Sequence, residues 1–206
     1  MRQILFSAVA LVALAATTSA APVLSTSAGT FAGAQVISAA SFTTNANANI
    51  LDSTTIAHAE ILQSGRATEG YDFYRFCTAG GTVHLDIDDP YNYDVQMGIW
   101  NAAGTLIASN DDGDDGGVDP GGSDVFQSNI SNLNLAAGDY VVGVGRCCGN
   151  YQSGDPFASG APIPQGGAYT LNISAQQCVP EPSSLALLGV GIVMLGGVGW
   201  RRSRKA

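Results

Sequence analysis

Fifteen residues of this chain, 110–124, carry most of its potential chemistry. Asn110, Asp111, Asp112, Asp114, Asp115, Asp119 and Asp124 fall there, with Gly113, Gly116, Gly117, Gly121 and Gly122 between them. Carboxylates and an amide on bendable backbone are what a hard cation wants, since calcium takes six to eight oxygen ligands. So many like charges are costly to gather unless a cation or water screens them. The spacing is not that of an EF-hand: counting from Asn110, the sixth residue is Asp115 rather than Gly and the twelfth is Gly121 rather than Glu. The motif occurs once, which excludes a repeated calcium β-helix. The expected cofactor is Ca2+, and the competing reading is a solvated acidic loop.

Catalytic signals are thin. The two histidines, His58 and His84, belong to neither H-E-x-x-H nor G-x-S-x-G and read as edge or surface residues. Asp86, Asp88 and Asp89 have the residue type of a glycosidase pair, yet strand carboxylates in an acidic protein are ordinarily surface. No catalytic residue is therefore assigned. Tyr91, Tyr93, Trp100 and Tyr151 are candidates for stacking on sugar rings; Trp100 reads as core, Tyr91 and Tyr93 as exposed. The four cysteines, Cys77, Cys147, Cys148 and Cys178, suggest two disulfides in an oxidising compartment. A direct Cys147–Cys148 bond is disfavoured because neighbouring Cα atoms are only ~3.8 Å apart. Both are expected to reach elsewhere, to Cys77 and Cys178. A zinc site lacks a second C-x-x-C or a nearby histidine.

The elements that must position these residues lie between two export signals. Met1-Arg2, an apolar run over 4–16 and Thr18-Ser19-Ala20 make a signal peptide over 1–20, cleaved before Ala21 by signal peptidase. The exported part, 21–178, opposes three arginines (Arg66, Arg75, Arg146) to sixteen carboxylates, a net charge of −13. Nucleic acid and anionic lipid surfaces are excluded as partners; cations, sugars and peptides are favoured. Residues 21–49 read as a low-complexity spacer or weak edge strands. Further on, 82–88 alternates cleanly, with Val83, Leu85 and Ile87 on one face and His84, Asp86 and Asp88 on the other. Strands are also expected over 71–77, 94–100, 105–109, 125–135, 140–145 and 169–173. The 125–135 alternation changes parity, which points to a bulge or a break, and the 147–167 loop is long. Short strands, polar turns and no amphipathic helix predict an all-β fold, an antiparallel β-sandwich or jelly roll.

The order of short motifs in the exported part is informative. His58 and Glu60 precede Tyr71-Asp72-Phe73-Tyr74; Gly80-Gly81-Thr82-Val83, Asp86-Ile87-Asp88 and Asp94 follow. Asn101-Ala102-Ala103-Gly104, Asn110-Asp111-Asp112-Gly113, Asp119-Pro120-Gly121 and Gly138-Asp139-Tyr140 complete the series. Across 50–178 the chain resembles the bacterial pre-peptidase C-terminal (PPC-type) domain. That resemblance implies an accessory β-sandwich related to collagen-binding modules, several of which bind calcium. It also brings Asp88 and Asp94 to the end of the sandwich that holds the acidic loop. The implied metal set is then Asp88, Asp94, Asn110, Asp111, Asp112, Asp114, Asp119 and Asp124. No enzyme domain is attached, and the 147–167 insertion departs from the family.

The last 28 residues begin Val179-Pro180-Glu181-Pro182. An uncharged span, 183–200, follows, long enough as a helix (~27 Å) for a bilayer core. Arg201, Arg202, Arg204 and Lys205 then serve as a stop-transfer cluster. These features resemble the bacterial PEP-CTERM sorting signal, over 179–206. The resemblance implies an exosortase as processing partner, an inner-membrane-anchored precursor and a Gram-negative, exopolysaccharide-producing host. The expectation is thus an exported, non-enzymatic envelope module, calcium-stabilised, for adhesion or association with exopolysaccharide or matrix protein. A secreted hydrolase using strand-end carboxylates is the alternative. Ice binding would require a Thr-x-Thr ladder, and the sequence holds none.

Overall fold

The computed structural model describes residues 20–26, 28–88, 90, 93–113, 121, 126–149, 151–154 and 161–178. Most of the expected signal peptide, the sorting tail and much of the acidic loop lie outside these. Ten strands form two five-stranded sheets. One sheet runs β1 (Val23–Leu24), β3 (His58–Gln63), β10 (Tyr169–Ser174), β5 (Gly81–Asp88), β8 (Asn129–Leu135). The other runs β2 (Gln35–Val36), β4 (Asp72–Thr78), β9 (Gly138–Arg146), β6 (Val95–Asn101), β7 (Leu106–Asn110). The long strands pair antiparallel, as their alternation requires, but β1 and β2 pair parallel to β3 and β4. The sheets are therefore mixed, a correction to the purely antiparallel expectation. A parallel edge follows from the short 21–36 segment running beside one strand of each sheet in turn, with Gln35 holding the two parts together through Thr26 and Leu24.

The core lies between the sheets. Val83, Leu85 and Ile87 of β5 face Tyr74, Phe76, Met97, Ile99, Val142 and Val144 across it. The parity change in 125–135 is resolved by a bulge: Val83 pairs with Leu133 but Leu85 with Ile130, so Ser131 and Asn132 oppose His84 alone. Asn132 takes φ 57°, a left-handed value that Asn tolerates better than most residues. With the extra residue absorbed, Ile130, Leu133 and Leu135 all pack on the core.

Both outer faces are also covered, which strand alternation does not predict. Loop residues Ile50, Leu51 and Ser53 lie over the first sheet, and His58, His84, Asp86 and Asp88 are buried beneath such loops rather than at the surface. On the second sheet, Tyr151 of the long insertion packs on Trp100, with Phe31 at its other side. Tyr151 Oη donates to Gln96 O at 2.8 Å and Trp100 Nε1 to Gln152 O at 2.9 Å. Ile163, further along the same insertion, is fully buried in the main core. Tyr151 and Tyr93 are thus packed into the protein rather than presented for stacking, and Trp100 is buried as expected. Tyr91 lies outside the described residues.

The disulfides are Cys77–Cys178 and Cys147–Cys148. The expected cross-pairing is overturned: β9 runs the length of the sandwich, so Cys147 beyond its far end is remote from Cys77, which lies beside Asp139 at its start. Among the described residues no helix is long and apolar enough to cross a membrane. The expected signal helix and membrane helix, 183–200, lie outside them.

Candidate functional site

Strand direction decides what meets at each end. Asp72, Asp88, Val95, Asn110, Arg146 and Tyr169 mark one end of their strands, while Thr78, Gly81, Gly138 and Ser174 mark the other. Cys178, which precedes the tail, sits at the second end, bonded to Cys77. The acidic end and the exit of the tail are opposite.

At the acidic end the organiser is Ser128, which sequence reasoning missed. Its hydroxyl oxygen lies 2.7 Å from Val95 O, 3.0 Å from Asn110 O and 2.9 Å from Asp111 O, while its own carbonyl accepts from Ile87 N–H at 3.0 Å. One fully buried residue therefore joins the end of β5, the start of β6 and the end of β7. Asp94 precedes β6, and its carbonyl accepts from Cys147 N–H at 3.0 Å. Asn110 donates its amide to Asn129 O. Asp111 Oδ1 accepts from Cys148 N–H at 3.4 Å. Burial holds the Asp111 carboxyl above its ordinary value, opposed by the Cys148 bond and reinforced by Asp112.

Asp88 is 4% exposed. Its Oδ2 accepts from Asn172 Nδ2 at 2.9 Å, and the same amide reaches Asp86 Oδ2 at 3.4 Å. The backbone of Gly121 comes so close that a Cβ there would stand 2.5 Å from Asp88 Oδ1. A side chain at 121 would require the Asp88 carboxylate to shift. No lysine or fourth arginine exists between residues 21 and 178 to neutralise these groups.

Of the expected metal set, the structure gathers Asp88, Asp94, Asn110 and Asp111 at one end, and leaves Asp112 exposed. Asp114, Asp119 and Asp124 lie outside the described residues. The carboxylates of Asp88, Asp94 and Asp111 do not converge to a common point. Among the described residues, the one trio of potential ligands within 4.8 Å of one another is Asp111 with Cys147 and Cys148, whose sulfurs are bonded together. The oxygen donors are of the type that a hard cation takes.

A second polar centre lies beneath the acidic end. Arg66 Nη1 pairs with Asp72, and both are buried. Asp72 Oδ2 also accepts from Tyr169 Oη at 2.9 Å and Gln63 Nε2 at 3.1 Å, with Tyr74 Oη 2.7 Å from Tyr169 Oη. Burial raises the hydroxyl pKa of Tyr74, Tyr93 and Tyr169, helped by the Asp72 charge. A completely bonded ion pair of this kind is structural. The signal that could have found it is the pairing of a rare arginine with an aspartate beside an aromatic strand.

His84 is the remaining candidate group. Its Nδ1 accepts from Asn132 N–H at 3.2 Å, and Nε2 stands 3.6 Å from Asp52. The cavity beside it is about 10 Å³, the room of one water, and too small for a sugar ring. Burial lowers the His84 pKa, with Asp52 acting in the opposite direction.

No curated protein matches the chain. Residues 179–205 match the family model of the PEP-CTERM protein-sorting motif. That segment marks an exported protein with a membrane-anchored precursor, targeted to exosortase for processing.

Proposed function

We propose that the mature domain is a non-enzymatic binding module of a Gram-negative cell envelope, held together at its acidic end by calcium. Its ligand is an exopolysaccharide or matrix protein. The observation that carries this reading is the placement of Asp88, Asp94, Asn110 and Asp111 at one end of the sandwich, where Ser128 ties together the carbonyls of Val95, Asn110 and Asp111, away from Cys178. Asp88, Asp94 and Asp111 stand there beside one exposed arginine, Arg146, and Gly121 lies against the Asp88 carboxylate. Calcium would add the missing positive charge and order the loop. The membrane helix over 183–200, with Arg201, Arg202, Arg204 and Lys205 behind it, would hold the precursor at the inner membrane until processing.

The hydrolase alternative draws less support. Asp86 and Asp88 hold one asparagine amide beneath a loop instead of flanking an open cleft. His84 spends Nδ1 on the backbone and points Nε2 towards Asp52, so it bridges no serine to an acid.

Thermal melting of the purified protein with calcium and with chelator tests the cation. The expected outcome is a higher midpoint with calcium, lost in Asp88→Asn. An unchanged midpoint in both conditions overturns the calcium assignment. Pull-down with exopolysaccharide, with and without calcium, tests the ligand class.

A further inference from the structure

A structural disulfide ties segments that the chain would otherwise let apart. Cys77–Cys178 does so, joining residues 101 apart in sequence. Cys147–Cys148 joins immediate neighbours and closes no loop. Its visible effect is local, since Cys148 stands at φ 71°, which side-chain-bearing residues rarely adopt. Cys148 is exposed and Cys147 half-buried, so a reductant can reach the pair.

The surroundings supply a third group. Asp111 leaves the end of β7 with its chain fixed by Ser128, and its carboxylate accepts the Cys148 N–H. A carboxylate oxygen of Asp111 and the two sulfurs all lie within 4.8 Å of one another. Once the sulfurs are reduced and can separate to the roughly 3.8 Å between two thiolates on one tetrahedral ion, they and Asp111 supply three ligands of a zinc-type site. Asp94 O, which accepts from Cys147 N–H, holds the first cysteine in place.

We propose that Cys147 and Cys148, when reduced, form with Asp111 a redox-gated site for a thiophilic divalent metal ion. A dithiol reductant delivers two electrons and two protons; the Cys147–Cys148 bond breaks, and the reductant closes its own disulfide. The metal ion then displaces the two thiol protons and bonds both sulfurs and Asp111, with its fourth position open to water. Exchange with the disulfide form of a dithiol carrier, which takes up the two electrons and two protons, re-forms the Cys147–Cys148 bond and releases the metal ion. The site shares Asp111 with the calcium reading, but its thiol count and thiolate-to-metal absorption report on it without reference to calcium.

The test uses the full chain in detergent, reduced stepwise with dithiothreitol, with free thiols mapped by alkylation and cadmium as probe. Cys147 and Cys148 should open before Cys77 and Cys178. The two-thiol form should then bind one cadmium per chain, read by thiolate-to-metal ultraviolet absorption, and the oxidised form none. Asp111→Asn should weaken cadmium binding by about tenfold with the thiol count unchanged. Cys147→Ser with Cys148→Ser should abolish the absorption and leave the thermal midpoint in place, since the bond ties no segments. Earlier opening of Cys77–Cys178, absence of cadmium absorption, or equal affinity in Asp111→Asn would overturn the proposal.

Discussion

Ser128 shows how much of the acidic end hangs on one hydroxyl. It can donate to one carbonyl at a time, yet three converge on it from two different elements. Ser128→Ala leaves buried carbonyls without their partner and should cost about 1–3 kcal/mol, read as a lower denaturant midpoint. Nothing in the sequence distinguishes this serine from its many neighbours, because its role comes from a meeting of β5, β6 and β7. His84 offers a pH test. Burial lowers its pKa, so the unfolded chain takes up a proton before the folded one does. Stability is then present above the ordinary histidine range, about pH 6.5, and is lost as pH falls below it. Thermal midpoints measured across that range should decline towards acid in the native protein, and less so in His84→Asn, which keeps an acceptor near Nδ1 for Asn132 N–H.

Strands were the most legible elements. Val83, Leu85 and Ile87 announce a core face because period-two alternation has one structural meaning, and the parity change after Ile130 correctly signalled a bulge. What covers the opposite faces was not legible. His84, Asp86 and Asp88 look like surface residues until the 50–53 loop and Gly121 are laid over them, and that contact spans dozens of residues in sequence. The same holds for the second sheet, where Gly98 leaves a flat floor. A Cβ there would meet Trp100 at 2.5 Å and Tyr151 at 2.6 Å. Gly98→Ala should therefore displace Tyr151 and cost about 1–3 kcal/mol. Altered tryptophan fluorescence together with a lower denaturant midpoint would register both effects.

For the whole molecule, the larger covalent constraint is Cys77–Cys178, whose ends are 101 positions apart in sequence. Removing it through Cys77→Ser with Cys178→Ser should cost about 4–5 kcal/mol on loop entropy alone, measurable as a collapse of the thermal midpoint. The cysteine count predicted two bonds but not their partners, because four cysteines allow three pairings and only the sheet order separates them. The acidic cluster was legible as residue types, and the hub that assembles it was not.

The same bond places the departure point of the tail on β4, at the far side of the sandwich from Ser128. On the proposed reading, a precursor held by its tail would present the acidic tip away from the Cys178 end, from which the eight residues of β5 separate it by ~26 Å. Removal of the tail would then leave that tip as it is, since the bonds that gather it run through Ser128 and not through Cys178.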